Sequence, residues 1–257
     1  MNTQPVNVTE MLDSAPTPPA PTDNIAASIQ LADYELQHKL GSGGYGEVWR
    51  AIGPGGLPKA VKILYGERTG EHAESELKAL ERMRDLRHPF LLSIERIEVI
   101  DSRLIVVTEL ADGNLTDRFA ECRGEGRRGV PREELLGYLR DSADALDFMY
   151  EQQGLQHLDI KPDNILLQGN HAKVGDFGLA KDLNATNVSI VNGFTPLYAA
   201  PELFEGRPGR ATDQYSLAIV YQAMLTGKPV EPCWVAPRGP SVKYSGGISV
   251  PGLSHIL

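Results

Sequence analysis

The spacing of hydrophobic residues changes character twice along the chain. Alternation at Tyr34-Glu35-Leu36-Gln37 predicts a strand, Glu47-Val48-Trp49-Arg50-Ala51 a second, and residues 59–64 a third, with a turn at Gly53-Pro54-Gly55-Gly56. Over residues 71–86 the period lengthens. Leu77, Leu80 and Met83 fall at i, i+3 and i+6, and Pro89 follows the end of this predicted helix. Residues 90–109 hold two further strands around a turn at Asp101-Ser102. Five strands and one helix make a small lobe.

The remainder is mainly helical. Pro131 suits a first helical position, Leu135, Leu139, Leu146 and Met149 line one face, and Gly154 stops the helix. Ile165-Leu166-Leu167 and Lys173-Val174-Gly175 predict short strands flanking a turn at Gly169-Asn170. Residues 213–227 are apolar nearly all round, which predicts a buried helix. No internal repeat is present. Residues 1–30 are rich in Pro, Thr, Ala and Asn around Ala15-Pro16-Thr17-Pro18-Pro19-Ala20-Pro21. That composition buries little apolar area, so a disordered tail is expected there, plain solvated chain or a proline docking segment.

Composition narrows the function classes. A net charge of −9 provides no basic field, which argues against nucleic-acid binding. Cys122 and Cys233 form neither a disulfide framework nor a zinc set and read as two ordinary thiols in a reducing compartment. The longest apolar stretch, 217–225, is about half of what a membrane span needs, and residues 1–30 lack the Lys or Arg of a targeting leader. A cytoplasmic location is the expectation.

Four polar motifs carry the candidate chemistry. Gly41-Ser42-Gly43-Gly44-Tyr45-Gly46 is a weak signal alone, compatible with a dinucleotide fold or a plain glycine hairpin. The residues that follow, Val48-Trp49, prefer strand, which favours a strand–turn–strand flap whose N–H groups can approach phosphates. No G-x-x-x-x-G-K-[ST] run occurs, which argues against a P-loop enzyme. Lys62 closes Ala60-Val61-Lys62; a strand lysine usually just snorkels. His157-Leu158-Asp159-Ile160-Lys161-Pro162-Asp163-Asn164 puts Asp, Lys and Asn on one loop, and Asp176-Phe177-Gly178 follows.

In this order the motifs resemble the protein-kinase signature set. The likeness implies an α+β, bilobal protein-kinase-like fold. Its small lobe has five strands and one helix, its large lobe is mainly helical, and its last helices are missing. The implied domain covers 34–232, with the small lobe to about 110, the large lobe from about 111, and an irregular tail over 233–257. Lys161-Pro162-Asp163-Asn164 and Thr195-Pro196-Leu197-Tyr198-Ala199-Ala200-Pro201-Glu202 resemble the Ser/Thr-specific forms, and the whole pattern looks most like bacterial (Hanks-type) relatives of eukaryotic Ser/Thr kinases.

The resemblance implies ATP as co-substrate, Mg2+, a protein substrate with a Ser/Thr acceptor, and self-phosphorylation, in signalling. Gly41, Ser42, Gly43, Gly44 and Gly46 would cover the phosphates. Val48, Ala60 and Leu166 would sandwich adenine, with Thr108 as gatekeeper and Glu109 and Ala111 in the hinge. Lys62 would hold phosphates and pair with Glu76, or with Glu74 as second candidate. Asp159 would position the acceptor hydroxyl, Lys161 would neutralise charge on the transferring group, and Asn164 and Asp176 would hold magnesium. Thr195 would bond toward Asp159 and Lys161, Asp213 would brace the loop, and Phe177 would pack under the small-lobe helix. The alternatives are a catalytically weak nucleotide-binding signalling module and a small-molecule kinase, the latter disfavoured by Ala200-Pro201-Glu202.

The sequence departs from the family at two places. After residue 230 the pattern stops, and Arg238, the one Arg beyond Arg210, does not resemble the usual partner of Glu202. Missing helices predict an exposed apolar surface near Leu217, Val220 and Leu225, and self-association through it. Leu158 stands where most members have an Arg that grips a phosphate. Activity is therefore expected not to need phosphorylation between residues 179 and 194, where Thr186 and Ser189 offer hydroxyls. Replacing both with Ala should leave phosphate transfer within about tenfold of the unmodified chain, since no phosphate–Arg pair is lost. A larger loss in a transfer assay contradicts this.

Overall fold

The computed structural model describes residue 29 and residues 31–43, 46–65, 77, 80–177, 181–182 and 194–228. The chain divides into two compact units, Met1–Arg68 with Glu98–Val107, and Thr69–Ile97 with Thr108–Leu257.

The alternating pattern becomes a sheet, most of whose residues belong to the first unit. Strands β1 (Glu35–Gly43), β2 (Gly46–Ile52), β3 (Pro58–Leu64), β4 (Ile94–Ile100) and β5 (Arg103–Glu109) lie in the order β1-β2-β3-β5-β4. Val61 and Ile63 of β3 are fully buried with Ala51, Ile105 and Val107, while the intervening Ala60 and Lys62 point to the other face. The antiparallel register sets Val48 opposite Lys62 and Arg50 opposite Ala60, so Val48, Ala60 and Lys62 share that second face. The packed region begins before Tyr34, because Ile29 and Leu31 are buried in the same core. The glycine run is more regular than expected: β1 continues to Gly43, with irregularities between Leu36 and His38 and between Lys39 and Gly41. Gly46 is sterically required, since a Cβ there would lie 2.3 Å from the Ile63 carbonyl oxygen.

The second unit is built from β6 (Gly113–Asn114), α1 (Leu115–Gly124), α2 (Arg132–Gln153), β7 (Leu155–Gln156), β8 (Ile165–Gln168), β9 (His171–Val174), β10 (Lys181–Asp182), α3 (Pro201–Phe204) and α4 (Thr212–Thr226). Residues 80–85 are helical, with Leu80 and Met83 buried, and Arg82 donates to the Gln153 carbonyl at the end of α2 (2.6 Å). β8 pairs with β6 and β9, which fixes the loop preceding it. Leu115, Leu135, Met149, Leu155, Ile160, Ile165 and Leu203 are fully buried, each contributing about 1.5–3 kcal/mol of burial. α4 ends at Gly227, whose φ of 65° favours glycine and whose Cβ would collide with the Arg128 carbonyl at 2.1 Å.

The hydrophobic period missed α1 because Leu115 and Cys122 are its buried residues and give no stripe. Its start is nonetheless written locally. Asp117 N–H donates to Asn114 Oδ1 (2.9 Å) and Asn114 N–H to Asp117 Oδ2 (3.2 Å), a reciprocal capping box. Cys122 is buried, and burial pushes its thiol pKa up, in keeping with an inert thiol.

The exposed apolar surface expected on the last helix is corrected by the structure. Leu217 is 8% exposed and Val220 0%, and Leu225 is half-buried. α4 packs against α2, leaving a groove of about 480 Å³ lined by Leu139, Leu146, Leu217 and Tyr221 among others. The self-association expected from those side chains therefore has no support.

One partly buried ion pair ties α1 to α2. Arg118 Nε donates to Glu134 Oε1 (2.7 Å) and Nη2 to Oε2 (3.2 Å), while Tyr138 Oη donates to Oε1 (3.2 Å). The guanidinium holds the Glu134 carboxyl below its ordinary value, against the opposing effect of burial. A carboxyl lowered on folding stabilises the fold above its unfolded value, about 4.3, and that contribution is lost as pH falls through the folded value. Glu134→Gln should therefore cost about 1 kcal/mol at neutral pH, a penalty that shrinks as pH falls below about 4.3, as read by denaturant unfolding. A penalty unchanged at acid pH contradicts the assignment.

Candidate active site

The polar loop 157–164 hangs from one buried carboxylate. Asp213, in the first turn of α4, accepts the His157 N–H at Oδ2 (2.7 Å) and the Leu158 N–H at Oδ1 (2.8 Å). Asp213 is 4% exposed, and burial pushes its carboxyl pKa up; the two N–H bonds oppose that and favour the anion. Leu158 sits at φ +64°, a left-handed conformation costing a leucine about 1–2 kcal/mol. Charge-assisted bonds of this kind contribute about 1.5–3 kcal/mol each, enough to offset it. His157, fully buried, completes the frame. Its Nδ1 accepts the Asp159 N–H (3.3 Å), which leaves Nε2 to donate to the Gly175 carbonyl (2.8 Å).

The frame presents Asp159 with three donors on its carboxylate. Thr195 N–H donates to Oδ1 (2.9 Å), and Lys161 Nζ lies 2.9 Å and Asn164 Nδ2 3.3 Å from Oδ2. Lys161 Nζ also donates to Thr195 Oγ1 (3.1 Å), and Asn164 Nδ2 to the Asp159 carbonyl (2.8 Å). The Asp159 side chain remains 10% exposed and that of Lys161 22%, so both are within reach of a bound substrate. The result is an oriented carboxylate beside a cation, suited to holding a hydroxyl next to a developing negative charge.

Asn164 and Asp176 supply the hard oxygens a magnesium ion takes. Asn164 is buried and its amide nitrogen is committed to Asp159, which leaves Oδ1 as its free ligand type. Asp176 is exposed at φ +62°. Among the described residues no group of three or more His, Cys, Asp and Glu could cage a metal. Magnesium commonly takes one or two protein oxygens together with substrate phosphates, so this donor set fits it.

Residues 34–234 match the protein kinase domain family. The chain belongs to the protein kinase family. The chain is 35% identical over 216 residues to CBL-interacting serine/threonine-protein kinase 7 of Arabidopsis thaliana, covering 78% of the chain and 48% of that protein. It is 30% identical over 209 residues to serine/threonine-protein kinase ULK3 of Xenopus laevis (79% and 44%), and 32% over 222 residues to serine/threonine-protein kinase PknF of Mycobacterium tuberculosis (80% and 45%). The chain thus spans about half the length of these relatives. Plant, frog and bacterial kinases match at similar identity, so the specifically bacterial kinship is not distinguished.

The candidate residues are distributed over both units. In the first, Gly41, Ser42, Gly43 and Gly46 lie on β1 and β2, and Val48, Ala60 and Lys62 share one sheet face. At Gly41 and Gly43 an added Cβ would meet open space, so packing does not demand glycine there. In the second, Thr108 Oγ1 donates to the Glu109 carbonyl (3.0 Å), and Glu109 N–H to the Ser93 carbonyl (3.2 Å). The Glu109 carboxylate accepts Ser93 N–H (2.8 Å) and Lys173 Nζ (2.9 Å). Burial pushes its pKa up but these donors outweigh it, and the net shift is down. Ala111 and Leu166 are half-buried, and Asp112 N–H donates to the Leu167 carbonyl (2.9 Å). Asp159, Lys161 and Asn164 are brought together. Gly44, Glu74, Glu76, Thr186, Ser189 and the tail over 233–257 lie outside the described residues. Phe177 is buried edge-on to the His157 ring at 5.7 Å.

Two features of this site were not read from the sequence. Glu202 finds its partner in Thr212, whose hydroxyl donates to Oε1 (2.8 Å) while accepting the Gly209 N–H (2.8 Å). Phe194 packs on Leu158, Ala199 and Leu203, a cluster that buries the residue preceding Asp159.

Proposed function

We propose that this chain is an ATP- and magnesium-dependent protein serine/threonine kinase. The observation that supports it most is the Asp159 carboxylate held by the Thr195 N–H and the Lys161 ammonium. In this reading a Ser or Thr hydroxyl of the acceptor protein hydrogen-bonds to Asp159. Its oxygen forms the new bond to the γ-phosphorus as the bond to the ADP oxygen breaks, and its proton passes toward Asp159. Lys161 neutralises charge developing on the transferred group, and Lys62 binds the nucleotide phosphates. Magnesium, held by Asn164 and Asp176, would supply positive charge at the phosphates. Thr108, Glu109, Ala111 and Leu166 of the second unit and Val48 and Ala60 of the first are the residues assigned to adenine, and the glycine strand of the first is assigned to phosphates.

The Ser/Thr class is supported by Thr195 beside Asp159 and by the names of the three relatives. Protein rather than small-molecule acceptors are supported by the short helix α3 that carries Pro201 and Glu202, anchored through Thr212.

The test is transfer of labelled phosphate from ATP and magnesium to casein and to the chain itself, beside Asp159→Ala and Asp176→Ala. Each substitution should reduce transfer about a hundredfold or more, while Asp159→Ala keeps nucleotide binding. A folded chain that binds ATP and transfers nothing contradicts the reading and favours a nucleotide-binding signalling module.

A further inference from the structure

An apolar contact lies in register with the hydrogen bond that orients Asp159. The N–H that donates to Asp159 Oδ1 belongs to the peptide joining Phe194 to Thr195. On one side of that bond stand Leu158 and Asp159, on the other Phe194 and Thr195. Leu158 is 4% exposed and forms a cluster with Ala199 (5%) and Leu203 (2%), and Phe194 packs against this cluster. Phe194 also stands edge-on to Phe204, ring centroids 5.0 Å apart and planes at 86°.

We propose that Phe194, seated on the Leu158–Ala199–Leu203 cluster, is a positioning residue that holds the Thr195 N–H on the Asp159 carboxylate. The inference rests on the kinase reading of Asp159 and adds to it the means by which that carboxylate is aimed. One end of the segment is fixed, because Asp213 bonds the Leu158 N–H and pins the backbone on the Asp159 side. The other end is held locally by a turn, in which the Tyr198 N–H donates to the Thr195 carbonyl (3.0 Å). That turn bond does not itself set the distance from Asp159, and the bond from Lys161 Nζ to Thr195 Oγ1 (3.1 Å) comes from a flexible lysine stem. The Phe194 ring sets that distance, since moving it off Leu158 and Leu203 would expose apolar area and carry the following amide with it. Displacements of about 1 Å at such a group can cost about a hundredfold in rate. An apolar anchor carries no charge requirement, so it works without a phosphate on the segment.

The experiment compares the unmodified chain with Phe194→Ala and Phe194→Leu. Hydrogen exchange at the Thr195 amide is read together with kcat and KM for ATP using casein as acceptor. Phe194→Ala should lower Thr195 protection by about tenfold or more and kcat by a similar factor, with KM for ATP and the protection of α4 amides unchanged. Phe194→Leu should restore both to within about threefold, because it restores apolar contact without the ring. Unchanged Thr195 protection in Phe194→Ala overturns the proposal, as does a Leu variant no better than Ala while α4 stays protected. The exchange readout does not depend on turnover. An unmodified chain that transfers nothing, yet loses Thr195 protection in Phe194→Ala, would sink the kinase reading and keep the anchor.

Discussion

Asp213 is the point on which the site depends. A carboxylate removed from water is unfavourable unless donors surround it, and two backbone N–H groups do so here. Those N–H groups belong to consecutive residues, so the bonds fix the peptide between His157 and Leu158 and make the left-handed turn at Leu158 tenable. Everything that follows inherits that geometry. Asp159 is aimed by the turn, Lys161 and Asn164 bond to it, and the Asn164 carbonyl receives the Gly175 N–H (3.0 Å) next to Asp176. The anchor is rigid because α4 is buried along Ser216, Leu217, Val220 and Met224.

The surroundings of the loop mix polar and apolar devices. Glu202 is satisfied by the Thr212 hydroxyl in the turn of α4 that also carries Asp213, so the segment ending in α3 and the loop before β8 are tied to the same helix end. Leu158 contributes packing where most members of the family have an Arg, and Ala199 and Leu203 fill the space around it. The chain thus brings the segment that carries Thr195 to Asp159 by burial and by hydrogen bonds to the Asp159 and Glu202 carboxylates.

Much of this was legible in the sequence, for physical reasons that differ by element. The strands of the first unit were visible because one face is buried, as at Val61 and Ile63, and alternation records that directly. The helix of Leu135, Leu139 and Met149 was visible by its stripe. α1 was not, because two buried residues in ten leave no stripe and its signal resides in the Asn114–Asp117 cap. The continuation of β1 through Ser42 was obscured by glycines that usually mark turns. At the site, Asp159, Lys161, Asn164 and Asp176 stood out because the motif order is local. Phe194 and Thr212 did not. The Thr195–Asp159 bond spans 36 residues and the Thr212–Glu202 bond 10, and nothing in a window of sequence states either pairing. Burial of Leu217 and Val220 was misjudged for the same reason, since the packing of α2 on α4 is a long-range fact.

The central claim is that one buried carboxylate sets the loop. Asp213→Asn keeps the shape but offers one acceptor where two are used and turns a donor toward an N–H. Amide hydrogen exchange at His157 and Leu158 reads this directly, with the α2 amides as an internal reference. The account predicts that the amide left facing the Asn nitrogen loses protection by about tenfold or more while α2 is unchanged, because the lost bond leaves a buried N–H unpaired at about 1–3 kcal/mol. Protection at His157 and Leu158 equal to that of the unmodified chain would contradict it.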